Sequence, residues 1–510
     1  LLKRYGFESE LQPYENVVEK TDLLKKFGVL AISFMISDVV AVRRLIDVWR
    51  KIKGRKGIVV LGGSGALSSR ALDTLDFDMA FLGELEPTLH MLFSQHGYRS
   101  LSEVVEDLRD AGNVPMGIAI KTGGKVVGGE AAPWTPKELL FKVIPEVEDL
   151  VSYPFYWACR VYVEVVRGCS NFLRPSALPS CTQCGLCSSD KLSNRIVCPV
   201  GIPPGCGYCS VPLVHGYPRS RDPYHIAEEV KRLLDLGITR IVLSAPDFLD
   251  YGRELKVNEP LTDPCRPPPN IDMVEKLLKE LVNHEAVAEG RASIMIENIK
   301  ACLVDEYVAE VLGRYLKETA VYIGLESCSN SLLRRVGRPS TCEDTIKAVE
   351  LLTKYGLRPY VYLMHGLPTE TAEDIAKTIE ILSYLEKIGI ERIVLYKFVR
   401  LPKTAFEKYV GKESKDYLDA VNALKDAVEK FNEKAKNLFV GRVLDVVVAC
   451  QHPKNRSYLI AYPLRHGPVV LIRASKNFIS TIARVRIAKV LSSRVVLGSL
   501  LHVRYRVKAK

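Results

Sequence analysis

The stretch CRVYVEVVRGCSNFLRPSALPSCTQCGLCSSDKLSNRIVCPVGIPPGCGYC, residues 159–209, decides how the chain is read. It holds eight of the thirteen cysteines: Cys159, Cys169, Cys181, Cys184, Cys187, Cys198, Cys206 and Cys209. A chain of 510 residues, 47% hydrophobic, has core enough to dispense with disulfide staples. Cysteines bunched like this therefore point to metal ligation, and repeated C-x2-C spacing sets thiolates where one metal or cluster can collect them. A strand-like run, Val161–Val166, leads into Arg167-Gly168-Cys169, and Pro203-Pro204-Gly205-Cys206-Gly207-Tyr208-Cys209 closes the stretch. Between them stands C-x2-C-x2-C-x10-C: Cys181, Cys184, Cys187 and Cys198. Four thiolates close a coordination sphere, whereas three leave one iron of a [4Fe-4S] cluster open to another ligand.

This arrangement resembles the radical S-adenosylmethionine (radical SAM) enzymes, in which three cysteines follow the first barrel strand and an aromatic residue precedes the last. Tyr208 before Cys209 fits, and Cys169 stands where the first should be, but the usual C-x3-C-x2-C has a first gap of 36 residues here. The resemblance implies that Cys169, Cys206 and Cys209 hold the SAM cluster. An insertion, residues 170–205, then carries its own site on Cys181, Cys184, Cys187 and Cys198. The rival division gives the SAM cluster Cys198, Cys206 and Cys209. The insertion reads as a second [4Fe-4S] cluster, since Pro199 follows Cys198 as in ferredoxin-type runs; a structural zinc is the alternative. Cys159 is assigned a structural role.

The net charge of +11 is unevenly placed. From Gly441 onward there are 14 Lys and Arg against one acid, Asp445, so all the excess positive charge lies in the tail. No window reaches the roughly 18 apolar residues of a membrane span. No basic-then-apolar leader opens the sequence, although it starts at Leu1 rather than methionine, which leaves room for a missing N-terminal piece. Thiols in metal-ligand spacing imply a reducing compartment, hence a cytoplasmic protein.

Residues 1–97 alternate strand and helix: GVLAIS (28–33), a helix Val39–Lys53, GIVVLGG (57–63), a helix from about Ala66 and a strand DMAFLGELEPTL (78–89). The period implies an α/β, doubly wound parallel sheet. Gly62-Gly63-Ser64-Gly65 is a weak phosphate-loop signal and equally a tight strand-to-helix turn. The pattern resembles the cobalamin-binding domain that precedes many radical SAM cores, with Gly83-Glu84-Leu85-Glu86 matching its ending. Its D-x-H-x-x-G segment is absent, so a retained fold without cobalamin stands beside cobalamin binding. Residues 98–158 read as a connector, with a hairpin suggested by Gly123-Gly124 and Gly128-Gly129.

Six strands recur with helices between them over residues 159–410: Val161–Val166, Arg240–Ser244, Ala292–Glu297, Ala320–Leu325, Pro359–Met364 and Arg392–Phe398. Six is the number in the partial (β/α)6 barrel of the radical SAM core, where chemistry gathers at strand C-termini. By resemblance, Gly324-Leu325-Glu326-Ser327 is the family's G-x-E-S segment, so Glu326 and Ser327 would contact SAM. Gly366-Leu367-Pro368-Thr369-Glu370-Thr371 is its G-L-P-x-E-T element beside the adenine. Ser244 and Asp247 at the second strand end, where Ser244-Ala245-Pro246-Asp247 replaces the usual G-G-E, and Glu297 at the third, complete the expected SAM contacts. Cys265, Cys302, Cys328, Cys342 and Cys450 read as core or surface thiols, Cys328 being nearest the expected site.

A charged helix, Lys412–Asn437, spans most of the link 411–440. Five short strand runs over 441–510 then read as a small β-barrel, resembling the RNA-binding TRAM domain; a domain this basic attracts phosphate backbone. A radical SAM core joined to TRAM resembles the tRNA methylthiotransferases and uncharacterised archaeal Fe-S oxidoreductases. The expected function is therefore reductive cleavage of SAM to modify RNA, tRNA above all, by methylthiolation or methylation, with an electron donor such as ferredoxin. One departure stands against methylthiolation: residues 1–150 contain no cysteine for that family's N-terminal cluster. The alternatives are a cobalamin-dependent methylase of a small molecule or lipid and a non-catalytic Fe-S or zinc RNA-binding protein.

Overall fold

Apolar runs at Val29–Ser33 (β1), Ile58–Gly62 (β2) and Met79–Phe81 (β3) pair in parallel, and the hairpin Ile118–Thr122 (β4) and Lys125–Gly128 (β5) adds antiparallel to β3. The computed structural model describes residues 2–140, 144–411 and 414–507, in two units, 1–153 and 154–510. In the first unit the sheet is covered on both faces. Helix Val39–Lys53 buries Val42, Leu45, Ile46 and Trp49, the spacing of one helical face, against one side. Helix Leu101–Ala111, capped by Ser100, buries Val104, Val105 and Leu108 against the other. Asp78 ties the layers, accepting from Val59 N (2.8 Å), Arg50 (2.9 Å) and Arg109 (2.7 Å).

Two expectations change here. The long third strand is only Met79–Phe81; helix Leu85–Leu89 follows, with Pro87 in its first turn, where proline costs no helical hydrogen bond. The supposed connector supplies helix Leu101–Ala111 and the β4–β5 hairpin, so it completes the first sheet rather than linking two domains.

The second unit contains the expected barrel strands. Arg160–Glu164 (β6) is followed by Val166–Arg167 (β7), which pairs with Arg219–Ser220 (β8). Arg240–Ser244 (β9) lies between β6 and Ser293–Ile296 (β10), all parallel. Asn298–Ile299 (β11) continues β10 past Glu297 and begins a second parallel run with Ala320–Glu326 (β12), Arg358–His365 (β13) and Arg392–Lys397 (β14). Glu297 bridges the halves through its backbone, donating to Leu243 O (3.3 Å) and accepting from Tyr322 N (3.2 Å). The result is a six-strand half-barrel. Thr371 and Asp374 form a capping box that opens the crossover helix Ala372–Ile388.

Helix Lys415–Asn437 follows; Lys412 and Glu413 of its expected start lie outside the described residues. Asn432 exchanges hydrogen bonds with the backbone of Ile393 (3.0 and 2.9 Å), covering the exposed edge of β14. The tail forms a closed barrel from Val443–Gln451 (β15), Tyr458–Pro463 (β16), Val469–Arg473 (β17), Thr481–Val490 (β18) and Val495–Arg506 (β19). This barrel docks on the N-terminal ends of the half-barrel strands. Trp157 donates to Val448 O (3.2 Å), Arg240 lies over the Tyr462 ring, and buried Glu391 receives Arg442 (3.0 Å) and His466 (2.9 Å). No described helix is long and apolar enough to cross a membrane.

Candidate active site

At the C-terminal ends of the strands the chain crosses itself closely, and glycine makes this possible. Gly168 has φ +86°, and a Cβ there would lie 2.2 Å from Tyr217 O. Cys169 follows and donates its N–H to Gly216 O (3.0 Å). On the other arm, a Cβ on Gly207 would lie 2.2 Å from the Phe406 ring, and Gly207 N–H bonds Val336 O (2.8 Å). Cys206 and Cys209 flank that glycine, joined by Cys209 N–H to Cys206 O (2.8 Å). Asn171 joins the two arms: its backbone N–H points at Cys169 Sγ (3.5 Å) and its side-chain amide donates to Cys206 Sγ (3.3 Å). The insertion thus returns Cys206 to Cys169, while Cys198 stays in the insertion, half-exposed.

Burial pushes the Cys169 thiol up to about 11, with Lys300 pulling against it, and the Cys209 thiol up to about 12, with Cys206 adding to the rise. Thiolates in so dry a site need a cation. Cys169, Cys206 and Cys209 lie at one place in the fold, beside the buried and unpartnered Arg338 Nε, and are the residues that would hold an iron-sulfur cluster with SAM alongside.

Behind Cys169 lies a cluster of buried charges. Lys300 Nζ donates to Ser170 Oγ (2.9 Å), Asp247 (2.8 Å) and Asp250 (2.8 Å), and Arg253 pairs with Asp250. Ser170 also gives its N–H (3.2 Å) and hydroxyl (2.9 Å) to Asp250, so the cluster anchors the residue after the first ligand. This corrects one expectation. Asp247 is fully buried and its carboxylate is engaged by Lys300 Nζ and by the N–H groups of Lys300 and Leu249, so it serves this charge cluster rather than an open surface.

Glu326 occupies a β-bulge at the end of β12 with φ +62°. Its carboxylate folds back over Gly324, where a Cβ would lie 2.5 Å from Glu326 Oε1 and 2.8 Å from Arg338. Arg338 donates to Gly324 O and lies 3.9 Å from both Cys206 Sγ and Glu326. Burial raises the Glu326 carboxyl and Arg338 opposes the rise. Tyr208 packs against Leu332, Val336, Leu367 and Phe406, beside Glu326. Ser327 is a second correction: its hydroxyl meets Thr378 Oγ1 (3.2 Å) and accepts from Ser329 N (3.2 Å), so it braces helix Ala372–Ile388 instead of facing the mouth. Gly366, at φ +82°, donates to Glu370 (2.7 Å), which also accepts from Tyr417 (2.8 Å). Burial pushes the Glu370 carboxyl up to about 7. Ser244 donates to Glu297 (2.7 Å), joining the ends of β9 and β10 on the concave side.

The insertion is held by arginine rather than by an apolar core. Buried Arg174 donates to the carbonyls of Phe172 (3.3 Å), Arg195 (2.8 Å), Ile196 (2.9 Å) and Ile202 (2.8 Å) and to Cys187 Sγ (3.4 Å). Arg195 pairs with Asp263 (2.9 Å). Cys181, Cys184, Cys187 and Cys198 all lie in this segment, but among the described residues no three such side chains close around a single ion. In the first unit, Cβ atoms on Gly63 and Gly65 would meet the Phe34 backbone and ring at 2.7 and 2.4 Å, so the chain's own packing requires glycine at both positions. Cys265–Cys302 and Cys328–Cys342 are disulfides, not free thiols, their Cα atoms 5.6 and 4.9 Å apart. Cross-links and nine free cysteines in one chain remove cysteine usage as a guide to compartment.

The profile of the Radical SAM superfamily matches residues 197–382. An uncharacterised protein of Methanopyrus kandleri is 34% identical over 503 residues, 98% of this chain and 90% of its own length. The tRNA-2-methylthio-N(6)-dimethylallyladenosine synthase of Finegoldia magna is 27% identical over 308 residues, 58% of this chain and 62% of its own. The cobalamin- and [4Fe-4S]-bound radical SAM methyltransferase TsrM of Kitasatospora setae superposes with a TM-score of 0.54 at 17% identity, covering 79% of this chain and 72% of that one, a likeness of fold. The chain belongs to the radical SAM superfamily. Within it, the Methanopyrus protein is a relative over nearly its whole length.

Proposed function

We propose that the chain is a radical SAM enzyme that cleaves S-adenosylmethionine reductively and transfers a methyl or methylthio group to RNA. The observation that carries this reading is the meeting of Cys169 with Cys206 through Asn171, at a mouth lined by Tyr208, Glu326 and Arg338. A [4Fe-4S] cluster with bound SAM supplies one-electron carbon–sulfur cleavage and hydrogen abstraction, fed by a donor of the ferredoxin class. The chain's own part is holding and shielding. Cys169, Cys206 and Cys209 bind the cluster, the Lys300 cluster fixes the Cys169 loop, and Tyr208 walls the adenosine side. Arg338 and Glu326 present opposite charges to the zwitterionic end of SAM, and the Gly366 turn, held by Glu370, borders the adenine.

RNA is favoured by charge and placement. Arg484 and Arg486 alternate outward along β18 and Lys489 is exposed past a register shift, with His502 and Arg506 on β19 and Asp445 already taken by Arg484 (3.3 Å) and Arg504 (2.7 Å). The small barrel, resembling TRAM, touches the half-barrel at the end opposite the cysteines. Strands of five to eight residues separate the ends by roughly 17–26 Å at about 3.3 Å per residue. A ligand that engages both ends must be long, as a folded RNA is. The Finegoldia relative, named as a tRNA-modifying synthase, supports the same substrate.

Anaerobically reconstituted protein is expected to release 5′-deoxyadenosine from SAM under dithionite, and Cys206→Ala to abolish it. Iron-loaded protein that cleaves no SAM refutes the enzymatic reading. Transfer RNA is expected to bind with steep salt dependence, each phosphate-contacting cation removed lowering the slope by about 1. Unchanged binding and slope in Arg484→Ala/Arg486→Ala would remove RNA from that surface and favour a small molecule or lipid.

A further inference from the structure

The concave face of the half-barrel carries tyrosines from four strands: Tyr162 on β6, Tyr322 on β12, Tyr360 and Tyr362 on β13, and Tyr396 on β14. Strand parity sets their direction. On β12 and β13 they alternate with Val321, Ile323, Val361 and Leu363, all fully buried on the helix-covered side. Tyr322 and Tyr362 stack, with centroids 5.5 Å apart and planes 15° from parallel, while Tyr360 and Tyr396 meet them edge-on at 5.8 and 5.5 Å. Arg160 donates to the Tyr322 hydroxyl (2.6 Å) and fixes that ring. A core would bury such rings, yet Tyr162 remains 52% exposed and Tyr396 47%.

We propose that this tyrosine ladder is the substrate's binding platform, and that it takes a flat nitrogen heterocycle with an amino edge, a nucleobase or its free nucleoside. Four observations converge. The rings offer π faces, on which bases stack without regard to sequence. Tyr322 lies two residues before Gly324 and Tyr362 two before Met364, so the platform is one strand repeat, about 7 Å, below the cysteine mouth. The Ser244–Glu297 pair borders the rings, and with Ser244 donating to one carboxylate oxygen the other is left to accept an amino or ring N–H. The wall carries a cation, Arg160, held against the Tyr322 hydroxyl, a charge that suits a ribose or phosphate oxygen. The inference rests on the RNA reading for its larger substrate but reassigns Ser244 and Glu297 from SAM to the substrate.

The test measures binding of adenosine, inosine and a short adenine-containing RNA hairpin to cluster-loaded, full-length protein by equilibrium dialysis. Tyr362→Ala and Tyr322→Ala are expected to weaken binding by about tenfold or more, and the Phe variants, which keep the π face, by less than about threefold. Glu297→Gln is expected to erase a preference for adenosine over inosine. Loss in the Ala variants with both probes supports a base subsite open to nucleosides; loss with the hairpin alone supports a base presented by RNA. Hairpin binding unchanged in all tyrosine variants overturns the platform while sparing the RNA reading. Phe variants as weak as Ala variants, or no binding of either probe, overturn it outright. Melting curves matched to the parent protein ensure that a folding defect is not read as lost stacking.

Discussion

Lys300→Met probes the charges that anchor the Cys169 loop. The side chains of Asp247, Asp250 and Arg253 are 0% exposed and that of Lys300 9%, and the four charges cancel. Methionine matches the length of the lysine stem but removes three hydrogen bonds of 2.8–2.9 Å. Asp250 keeps Arg253; Asp247 loses its one direct cation and becomes a buried, uncompensated carboxylate. Removing one partner of a buried pair costs about 3–5 kcal/mol. Burial already raises the Asp247 carboxyl, and Lys300 is the chief influence holding it down. In the variant the folded state therefore binds a proton that the unfolded state releases, so the deficit grows as pH rises from about 4. Urea unfolding of cluster-free protein at pH 5.5 and 8 is expected to give the full loss at pH 8 and a smaller one at pH 5.5. Asp247→Asn/Lys300→Met, neutral again, should recover at least half. A loss under about 1 kcal/mol at pH 8, or a double variant no more stable than the single, would refute the charge-balance reasoning.

Gly207→Ala forces a methyl group against the Phe406 ring, an overpacking cost of about 1–3 kcal/mol; thermal unfolding should show the loss and Phe406→Leu should relieve it. Arg174→Met removes the donors to four carbonyls and Cys187, and native-state proteolysis is expected to cut within 176–200 faster while the half-barrel stays intact. Glu370→Gln keeps an oxygen for Gly366 and Tyr417. With the folded carboxyl at about 7, the wild-type protein loses stability as pH rises from about 4.3 to 7, by at most about 3 kcal/mol, and the variant should not. Parallel pH–stability curves for the two proteins would contradict that assignment.

The strand and helix pattern was legible because each element buries one periodic face. Helix Val39–Lys53, the six barrel strands and the five tail strands all stand close to where apolar spacing puts them. The pairing of Cys169 with Cys206 was legible through motif resemblance. Less legible was whatever depends on partners distant in the chain. Asp247 occupies a binding position by its place after β9, and nothing local reveals that Lys300, 53 residues on, claims its carboxylate. Ser327 follows a SAM-contacting motif, yet Thr378 captures it. Asn171 lies in no recognisable pattern and gains meaning only where the arms cross. The disulfides escaped for the same reason, since each joins residues that crossover helices bring together.

The 36 residues between Cys169 and Cys206 alter how a centre held on them would be assembled. Ligands spaced C-x3-C-x2-C lie within one short peptide, and a nascent chain can present all three before it folds. Here the gap from Cys169 to Cys206 is about twelvefold longer than that first gap, which adds roughly 2 kcal/mol of closure entropy. It is closed by Asn171, Gly205 N–H to Leu173 O and the Arg174 bonds, all of which exist only in the folded protein. A cluster held on these cysteines would therefore be loaded late, once the half-barrel is finished, and a misfolded chain would have little means of capturing iron.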